Sequence, residues 1–243
     1  NLDGTTIIDP RSKENDAKRN EFGKIFFKER KRKGVTEYDA IKLMRDRNFY
    51  GVMMVKNGEA DAFISGLTKN YSSAVLPALQ TIPKLPNYNR VAGMYVVMSK
   101  HGPLFFSDTT ININPNSEDL VQIVRLTHAT VKQMNVQPRI AMLSFSNFGS
   151  NRGETSYKIK EAVEYLHANH PEIEVDGEMQ ANFALDAEMR MENFPFSKLG
   201  DKKVNTFVFP NLASGNIAYK MAQKIGDIHA IGPILMGFSK SIH

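Results

Sequence analysis

Four loops in the sequence carry small polar residues of the kind that contact phosphate groups. Each follows a β-rich run and precedes a run with helical spacing: "SGLTKN" from Ser65, "SNFGSNRG" from Ser146, "DGEMQ" from Asp176 and "NLASGN" from Asn211. In parallel α/β sheets ligands bind at the carboxyl ends of the strands, because the N–H groups of the following helices point there and the helix dipole favours an anion. Such loops suit phosphate or pyrophosphate. Serine, asparagine and glycine are also ordinary turn residues, and composition alone leaves that alternative open.

Two cations stand out in the two best loops, Lys69 and Arg152. We predict that at least one of them contacts a phosphate of the ligand, since a charge-assisted contact is worth about 1.5 to 3 kcal/mol when water is largely excluded. The alternative is that both side chains point to solvent. The candidate ligand-binding residues of the four loops and the strand end before the second are Ser65, Gly66, Lys69, Ser144, Ser146, Asn147, Gly149, Ser150, Arg152, Asp176, Asn211, Ser214, Gly215 and Asn216.

Other chemistries fit the sequence less well. No stretch matches GxGxxG or GxxxxGK[ST], so neither an ordinary dinucleotide site nor a P-loop is supported. The chain has no cysteine, which excludes thiolate nucleophiles and Cys-ligated metals. His167 and His170 form the one close histidine pair, at a helix end before a proline, where imidazole commonly caps rather than binds zinc. "LSFSNFG" is not the GxSxG elbow of hydrolases.

The elements that must position these loops alternate along the chain. Strand, polar loop and helix follow one another four times, which predicts a parallel α/β sheet. Between the first and second units, "RVAGMYVVMS" and "LFFSDTTININ" flank a Gly-Pro turn signal and predict an antiparallel hairpin. The stretch "TIPKLPNYNR", residues 81–90, contains two prolines and is the best domain boundary. We therefore expect a partial first αβα domain at residues 1–85, to which residues 237–243 return, and a second at residues 86–236.

Charge and composition limit the partners. The chain of 243 residues has a net charge of +5, and residues 1–33 hold ten Lys or Arg against six Asp or Glu, so the excess is local. The cluster "KERKRK" from Lys28 is typical of the solvated end of a helix, although a patch for a polyanion remains the alternative. We expect no nucleic acid and no membrane among the partners, and a cytoplasmic location. The start at Asn1 suggests a piece of a longer protein.

Four ordered stretches, "ADAFISGLTKNYSSAVLPALQTI", "AMLSFSNFGS", "EVDGEMQANFALDAE" and "FPNLASGNIAYKMAQKIGDIHAIGPILMGFSKSIH", resemble the phosphotransacetylase family, which transfers acetyl groups between coenzyme A and phosphate. Within it, "SFSNFGS" looks most like the C-terminal phosphotransacetylase-like domain of bacterial NADP-dependent malic enzymes. The resemblance implies two αβα domains with mainly parallel sheets and an interdomain cleft, related to the isocitrate dehydrogenase fold. It also implies a homodimer or higher homo-oligomer, and it adds Gly232 to the candidate residues.

Departures from the family pattern shape the functional hypothesis. Family transferases usually read "RPALQ" where this chain has "LPALQ", so Leu76 stands in place of a phosphate-binding arginine, and the family's last catalytic segment lies beyond His243. The hypothesis is therefore a regulatory domain that binds acetyl-CoA or a related acyl-CoA and has lost transferase chemistry. A separate N-terminal malic enzyme domain would bind NADP and a divalent metal. The alternatives are an active phosphate acetyltransferase and a purely structural dimerisation domain.

Overall fold

The computed structural model describes residues 3–66, 68–100, 102–226 and 228–243. Leu67 of the first polar loop and His101 of the hairpin turn lie outside these ranges. The described chain divides into two compact units. One runs as far as Pro83 and includes Phe238–His243, and the other is Lys84–Gly237. The cleft expected between two domains stays a prediction.

The unit ending at Pro83 is mainly helical. Its elements are α1 (Asp16–Arg30), α2 (Glu37–Leu43), α3 (Arg47–Lys56), β1 (Ala62–Phe63), α4 (Tyr71–Thr81) and β8 (Ser241–Ile242), with short 3-10 turns at Lys13–Asn15 and Lys31–Lys33. β1 and β8 pair in parallel. Thr36 caps α2 by accepting the Asp39 N–H at 3.1 Å, as its capping-box spacing predicts.

An aromatic core holds these helices together. Phe22, Phe26, Phe49 and Tyr50 are buried in one cluster, with Phe22 edge-on to Tyr50 at 5.2 Å between ring centroids. α1 lies so close to α2 that a Cβ at Gly23 would stand 2.7 Å from the Ile41 Cα. Only glycine allows this approach.

The unit Lys84–Gly237 is a three-layer α/β structure. Its elements are β2 (Ala92–Ser99), β3 (Gly102–Ser107), α5 (Ser117–Gln133), β4 (Ile140–Leu143), α6 (Glu154–Asn169), β5 (Val175–Met179), α7 (Ala181–Leu185), α8 (Ala187–Asn193), β6 (Thr206–Val208), α9 (Leu212–Ile225) and β7 (His229–Met236). The sheet order is β5-β4-β6-β3-β2-β7. Strands β5, β4, β6 and β3 are mutually parallel, and β2 is antiparallel to both β3 and β7. The mainly parallel α/β fold and the hairpin agree with the sequence prediction.

Both faces of this sheet are buried, as successive residues of β4 show. Ile140 and Met142 belong to one core with residues of α5 and α6. Ala141 and Leu143 belong to a second core with Ala184 of α7. Alternate side chains of a strand point to opposite faces, so each face packs against its own helical layer. The carboxyl ends of β3, β4, β5 and β6 consequently lie along one edge of the sheet, which we call the carboxyl edge.

Candidate active site

At the carboxyl edge, the loop after β4 is held by a buried carboxylate from β5. Glu178 is 1% exposed, and its Oε1 accepts the Gly149 N–H at 2.6 Å and the Ser146 hydroxyl at 3.2 Å. The Phe148 N–H donates to the Glu178 backbone carbonyl at 2.9 Å. The Asn147 side-chain oxygen accepts the Gln180 N–H at 2.7 Å. Two of the predicted loops are thus one hydrogen-bonded cluster.

The shape of this loop comes from two consecutive left-handed residues. Phe148 has φ +47° and Gly149 has φ +86°. A bulky residue rarely adopts positive φ, and the Phe148 ring is held by Phe194 and Phe196, each at 5.0 Å between centroids. Ser150 closes the loop through its Oγ, which accepts the Asn147 N–H at 3.0 Å. Ser144 begins it, with its N–H donated to the Met179 carbonyl at 2.9 Å.

Further along the edge, the ends of β3 and β6 meet. Asn216 donates from Nδ2 to the Thr109 carbonyl at 3.3 Å. A Cβ at Gly215 would lie 3.1 Å from the Asp108 carbonyl oxygen, so glycine lets the start of α9 approach the end of β3. Asp108 is buried and accepts the Gly93 N–H at 3.2 Å and the Asn112 N–H at 3.0 Å. Burial raises the pKa of Asp108, an effect that these hydrogen bonds oppose.

"NLASGN" is not a loop, contrary to the sequence interpretation. Asn211 is the N-cap of α9 and accepts the Ser214 N–H at 2.9 Å, while the Ser214 hydroxyl donates to the Asn211 carbonyl at 3.0 Å. The helix therefore begins at Leu212, and Gly215 and Asn216 lie in its first turns. An asparagine followed by small residues suits a helix start as well as a turn.

Two cations lie at the N-terminal end of α6. Arg152 is exposed immediately before Gly153, the N-cap, which supplies no capping side chain. Lys158, one turn further on, donates to the Asn114 side chain at 2.7 Å and to the Pro115 carbonyl at 2.8 Å. Burial lowers the pKa of Lys158. An uncapped helix start beside an arginine is suited to an anionic group.

The predicted residues Asp176 and Gly232 have structural surroundings of their own. Asp176 is buried inside β5, where it accepts the Ser197 hydroxyl at 2.8 Å and the Lys198 N–H at 2.7 Å. Gly232 lies within β7 at φ +146°, and a Cβ there would stand 2.9 Å from the Met94 carbonyl oxygen of β2. Neither belongs to the cluster around Glu178.

The remaining predicted residues lie in the helical unit. Ser65 donates from Oγ to Asn48 at 2.9 Å and from its N–H to the His243 carbonyl at 2.9 Å. Lys69 forms an ion pair with Asp46, the N-cap of α3. Burial raises the pKa of Asp46, but the Lys69 ammonium and two backbone N–H groups outweigh it, and the net shift is downward. A cavity of about 350 Å³ is lined by Arg47, Asn48, Phe63, Ile64, Ser65, Gly66, Thr68 and Lys69.

Glu178, Asp108 and Lys158 were missed by the sequence analysis. Glu178 lies inside the quoted "DGEMQ", and Asp108 directly follows the apolar run of β3, so an acid at the end of a buried strand was the available signal. Within the described residues, no cluster of three or more His, Cys, Asp or Glu could hold a metal ion. No helix in the described part of the chain has the length and apolar character to cross a membrane.

A parallel sheet with polar, cation-bearing loops at its carboxyl edge defines a class of α/β proteins that bind anionic ligands there. The model of the phosphate acetyl/butaryl transferase family matches residues 1–243, and the chain belongs to this family. It is 36% identical over 244 residues to the phosphate acetyltransferase of Clostridium acetobutylicum, covering 98% of this chain and 72% of that protein. The crystal structure of a phosphotransacetylase from Streptococcus pyogenes matches with a TM-score of 0.86 and 38% identity, over 99% of this chain and 72% of that chain.

These matches overturn the hypothesis of a regulatory malic enzyme domain without transferase chemistry. Similarity to the NADP-dependent malic enzyme of Rhizobium meliloti, 37% over 212 residues, covers only 28% of that enzyme. The hypothesis relied on Leu76, which is 48% exposed on α4, and on a family catalytic segment expected beyond His243. Arg152 and Lys158 offer positive charge elsewhere, so one substituted position does not decide the chemistry. The NADP and divalent metal expected for a separate domain stay predictions.

Proposed function

We propose that the chain is a working phosphate acetyltransferase, one of the alternatives that its sequence leaves open. The reaction moves an acetyl group between the sulfur of coenzyme A and a phosphate oxygen. In the direction of acetyl-CoA synthesis, the thiol sulfur forms the C–S bond, the C–O bond to phosphate breaks, and phosphate leaves with the electron pair. The proton that the thiol loses ends on the departing phosphate, which is released as hydrogen phosphate. Similarity to phosphate acetyltransferases along nearly the whole chain is the observation that carries the proposal.

The carboxyl edge supplies groups that suit this reaction. The departing phosphate gathers negative charge, and fixed positive groups that act on this charge lower the barrier. The uncapped start of α6 and the exposed Arg152 provide such groups side by side. We propose that they hold a phosphate of the substrate, either the phosphoryl group of acetyl phosphate or a phosphate of coenzyme A.

Rigidity of the surrounding loops favours the same assignment. The N–H of Gly149 is already occupied by Glu178, so the loop after β4 is held in one conformation before any ligand arrives. A preorganised site avoids the free-energy cost of ordering a loop on binding. The candidate residues Ser150, Asn211, Ser214 and Asn216 are proposed to line this edge as polar contacts for acetyl-CoA.

The proposal is tested by acetyl-CoA formation from acetyl phosphate and coenzyme A, followed by thioester absorbance. Arg152→Gln is expected to lower kcat/KM by about tenfold to a hundredfold, in line with the loss of one charged contact to phosphate. Lys203→Gln is the matched control, because Lys203 is exposed and precedes the opposite, amino end of β6. The control should keep the wild-type rate.

A wild-type chain that binds acetyl-CoA but forms no thioester would contradict the proposed activity. Equal rates for Arg152→Gln and Lys203→Gln would contradict the role of Arg152 alone. We further propose a homodimer in the cytoplasm, as the family resemblance implies, and sedimentation analysis tests the dimer.

A further inference from the structure

A groove between α1 and α2 has the features of a second ligand site that the proposed transferase reaction does not use. It encloses about 300 Å³ and is lined by Asp16, Arg19, Asn20, Tyr38, Ile41, Lys42 and Arg45. All of these residues belong to the helical unit that ends at Pro83. A volume of this size is at the lower end of the range for small-molecule sites, about 300 to 1,000 Å³.

The floor of the groove is rigid. Arg19 is 7% exposed, and its guanidinium donates to the Pro10 carbonyl at 2.6 Å and the Ser12 carbonyl at 2.7 Å. Both of these bonds come from Nη1, and Nη2 pairs with the Asp16 carboxylate. The close contact between Gly23 and Ile41 fixes α1 against α2 behind this floor. The groove therefore keeps its shape without a ligand.

The charge on the lining selects an anion. The charges of Asp16 and Arg19 neutralise each other. Lys42 and Arg45 are then the remaining charged residues of the lining, and both are positive. Both are exposed, and neither forms an ion pair with another described residue. Two uncompensated positive charges match the charge of about −1.5 to −2 that a phosphate monoester carries near neutral pH.

An aromatic ring beside these cations indicates that the ligand also carries a flat ring. Tyr38 is 73% exposed, which is unusual for so large a ring, and the Lys42 ammonium lies 5.8 Å from its centroid. A flat ring of a ligand can stack on this face, while Lys42 and Arg45, three residues apart in sequence, contact its phosphate.

We propose that this groove binds a phosphate monoester that carries an aromatic base, such as a nucleoside monophosphate. Tyr38 stacks on the base, and Lys42 and Arg45 bind the phosphate. Coenzyme A also contains a nucleotide, so the same chemistry can reach the groove as a free nucleotide or as the nucleotide end of that molecule.

The test is a calorimetric titration of the whole chain with adenosine 5′-monophosphate. We expect saturable binding, with adenosine and ribose 5-phosphate each at least about tenfold weaker, since each lacks one of the two recognised groups. Arg45→Gln should weaken binding by about tenfold or more, and Tyr38→Ala by about fivefold or more, whereas Tyr38→Phe retains the affinity. Arg32→Gln removes an exposed arginine outside the groove and should leave the affinity unchanged.

A second titration in the presence of coenzyme A separates the two sources. Displacement of the nucleotide assigns the groove to the nucleotide end of coenzyme A, and undisturbed binding assigns it to a free nucleotide. The proposal is overturned if the nucleotide does not bind saturably, or if Arg45→Gln and Tyr38→Ala bind it as tightly as the wild type. Because binding is measured without turnover, this result is independent of transferase activity.

Discussion

Replacing Glu178 by alanine should loosen the loop after β4. The change removes the oxygen that accepts the Gly149 N–H at 2.6 Å and the Ser146 hydroxyl at 3.2 Å, both at a residue only 1% exposed. A hydrogen bond to a charged group contributes about 1.5 to 3 kcal/mol. Part of this is offset, because the variant no longer buries a carboxylate. We expect the free energy of unfolding to fall by about 2 to 4 kcal/mol.

Thermal unfolding and amide hydrogen exchange together measure this effect. For a protein of about 150 to 250 residues, each 1 kcal/mol lowers Tm by about 2 to 4 °C, so the expected fall is roughly 5 to 15 °C. The Gly149 amide should also exchange faster. Glu178→Gln retains an oxygen acceptor, so its Tm should fall less than that of Glu178→Ala. The control Glu192→Ala, at an exposed position of α8, should change Tm little.

A Glu178→Ala variant with wild-type Tm and wild-type exchange at Gly149 would contradict this role of Glu178. That result would mean that the loop conformation depends on the ring packing of Phe148 and not on the buried carboxylate.

Three other perturbations follow from single contacts in the same unit. Gly215→Ala places a Cβ about 3.1 Å from the Asp108 carbonyl oxygen and should lower the free energy of unfolding by about 1 to 3 kcal/mol, measured by chemical denaturation. An unchanged denaturation midpoint would show that α9 shifts freely. Asn116→Ala removes the N-cap of α5, which accepts the Asp119 N–H at 2.8 Å, and should lower the free energy of unfolding by about 1 kcal/mol. Asn116→Asp keeps a capping oxygen and should be about as stable as the wild type. His128 has a lowered pKa, chiefly through burial and secondly through Lys132, so the unfolded chain takes up its proton first as the pH falls below the ordinary value of 6.5. Stability should therefore fall as the pH drops from 6.5 towards the lowered pKa, and the unfolding free energy of His128→Leu should depend less on pH in that window; equal slopes for the two proteins would contradict this assignment.

Local spacing was enough to predict the hairpin, β4 and α5 of the Lys84–Gly237 unit. The continuous apolar run in "RIAMLSF" marks β4 as a strand buried on both faces, and the capping residues before α5 mark its start, because both signals lie in neighbouring residues. The expectation that ligands bind at the carboxyl ends of parallel strands likewise led to Ser146 and Asn147, which the structure places in the cluster around Glu178.

Contacts between distant segments could not be predicted in this way. Asp108 follows β3, which the hairpin pattern pairs with β2, and only the parallel pairing of β3 with β6 brings its end to the carboxyl edge. The prediction of a loop at Asp176 was also wrong. Its Asp-Gly sequence suggested a loop, but the residue is inside β5 and holds Ser197. The position of Asp108 depends on the pairing of β3 with β6, and that of Asp176 depends on the pairing of β5 with β4, so neither can be predicted from neighbouring residues.

We propose that acetyl transfer takes place at the carboxyl edge of the parallel sheet. Hydrogen exchange of the chain with and without acetyl-CoA, resolved to single amides, measures where the ligand binds. We expect slower exchange in residues 150–156 at the start of α6 and in residues 211–216 at the start of α9, with no change at residues 203–205 before the amino end of β6. Unchanged exchange at both helix starts under saturating acetyl-CoA would contradict it.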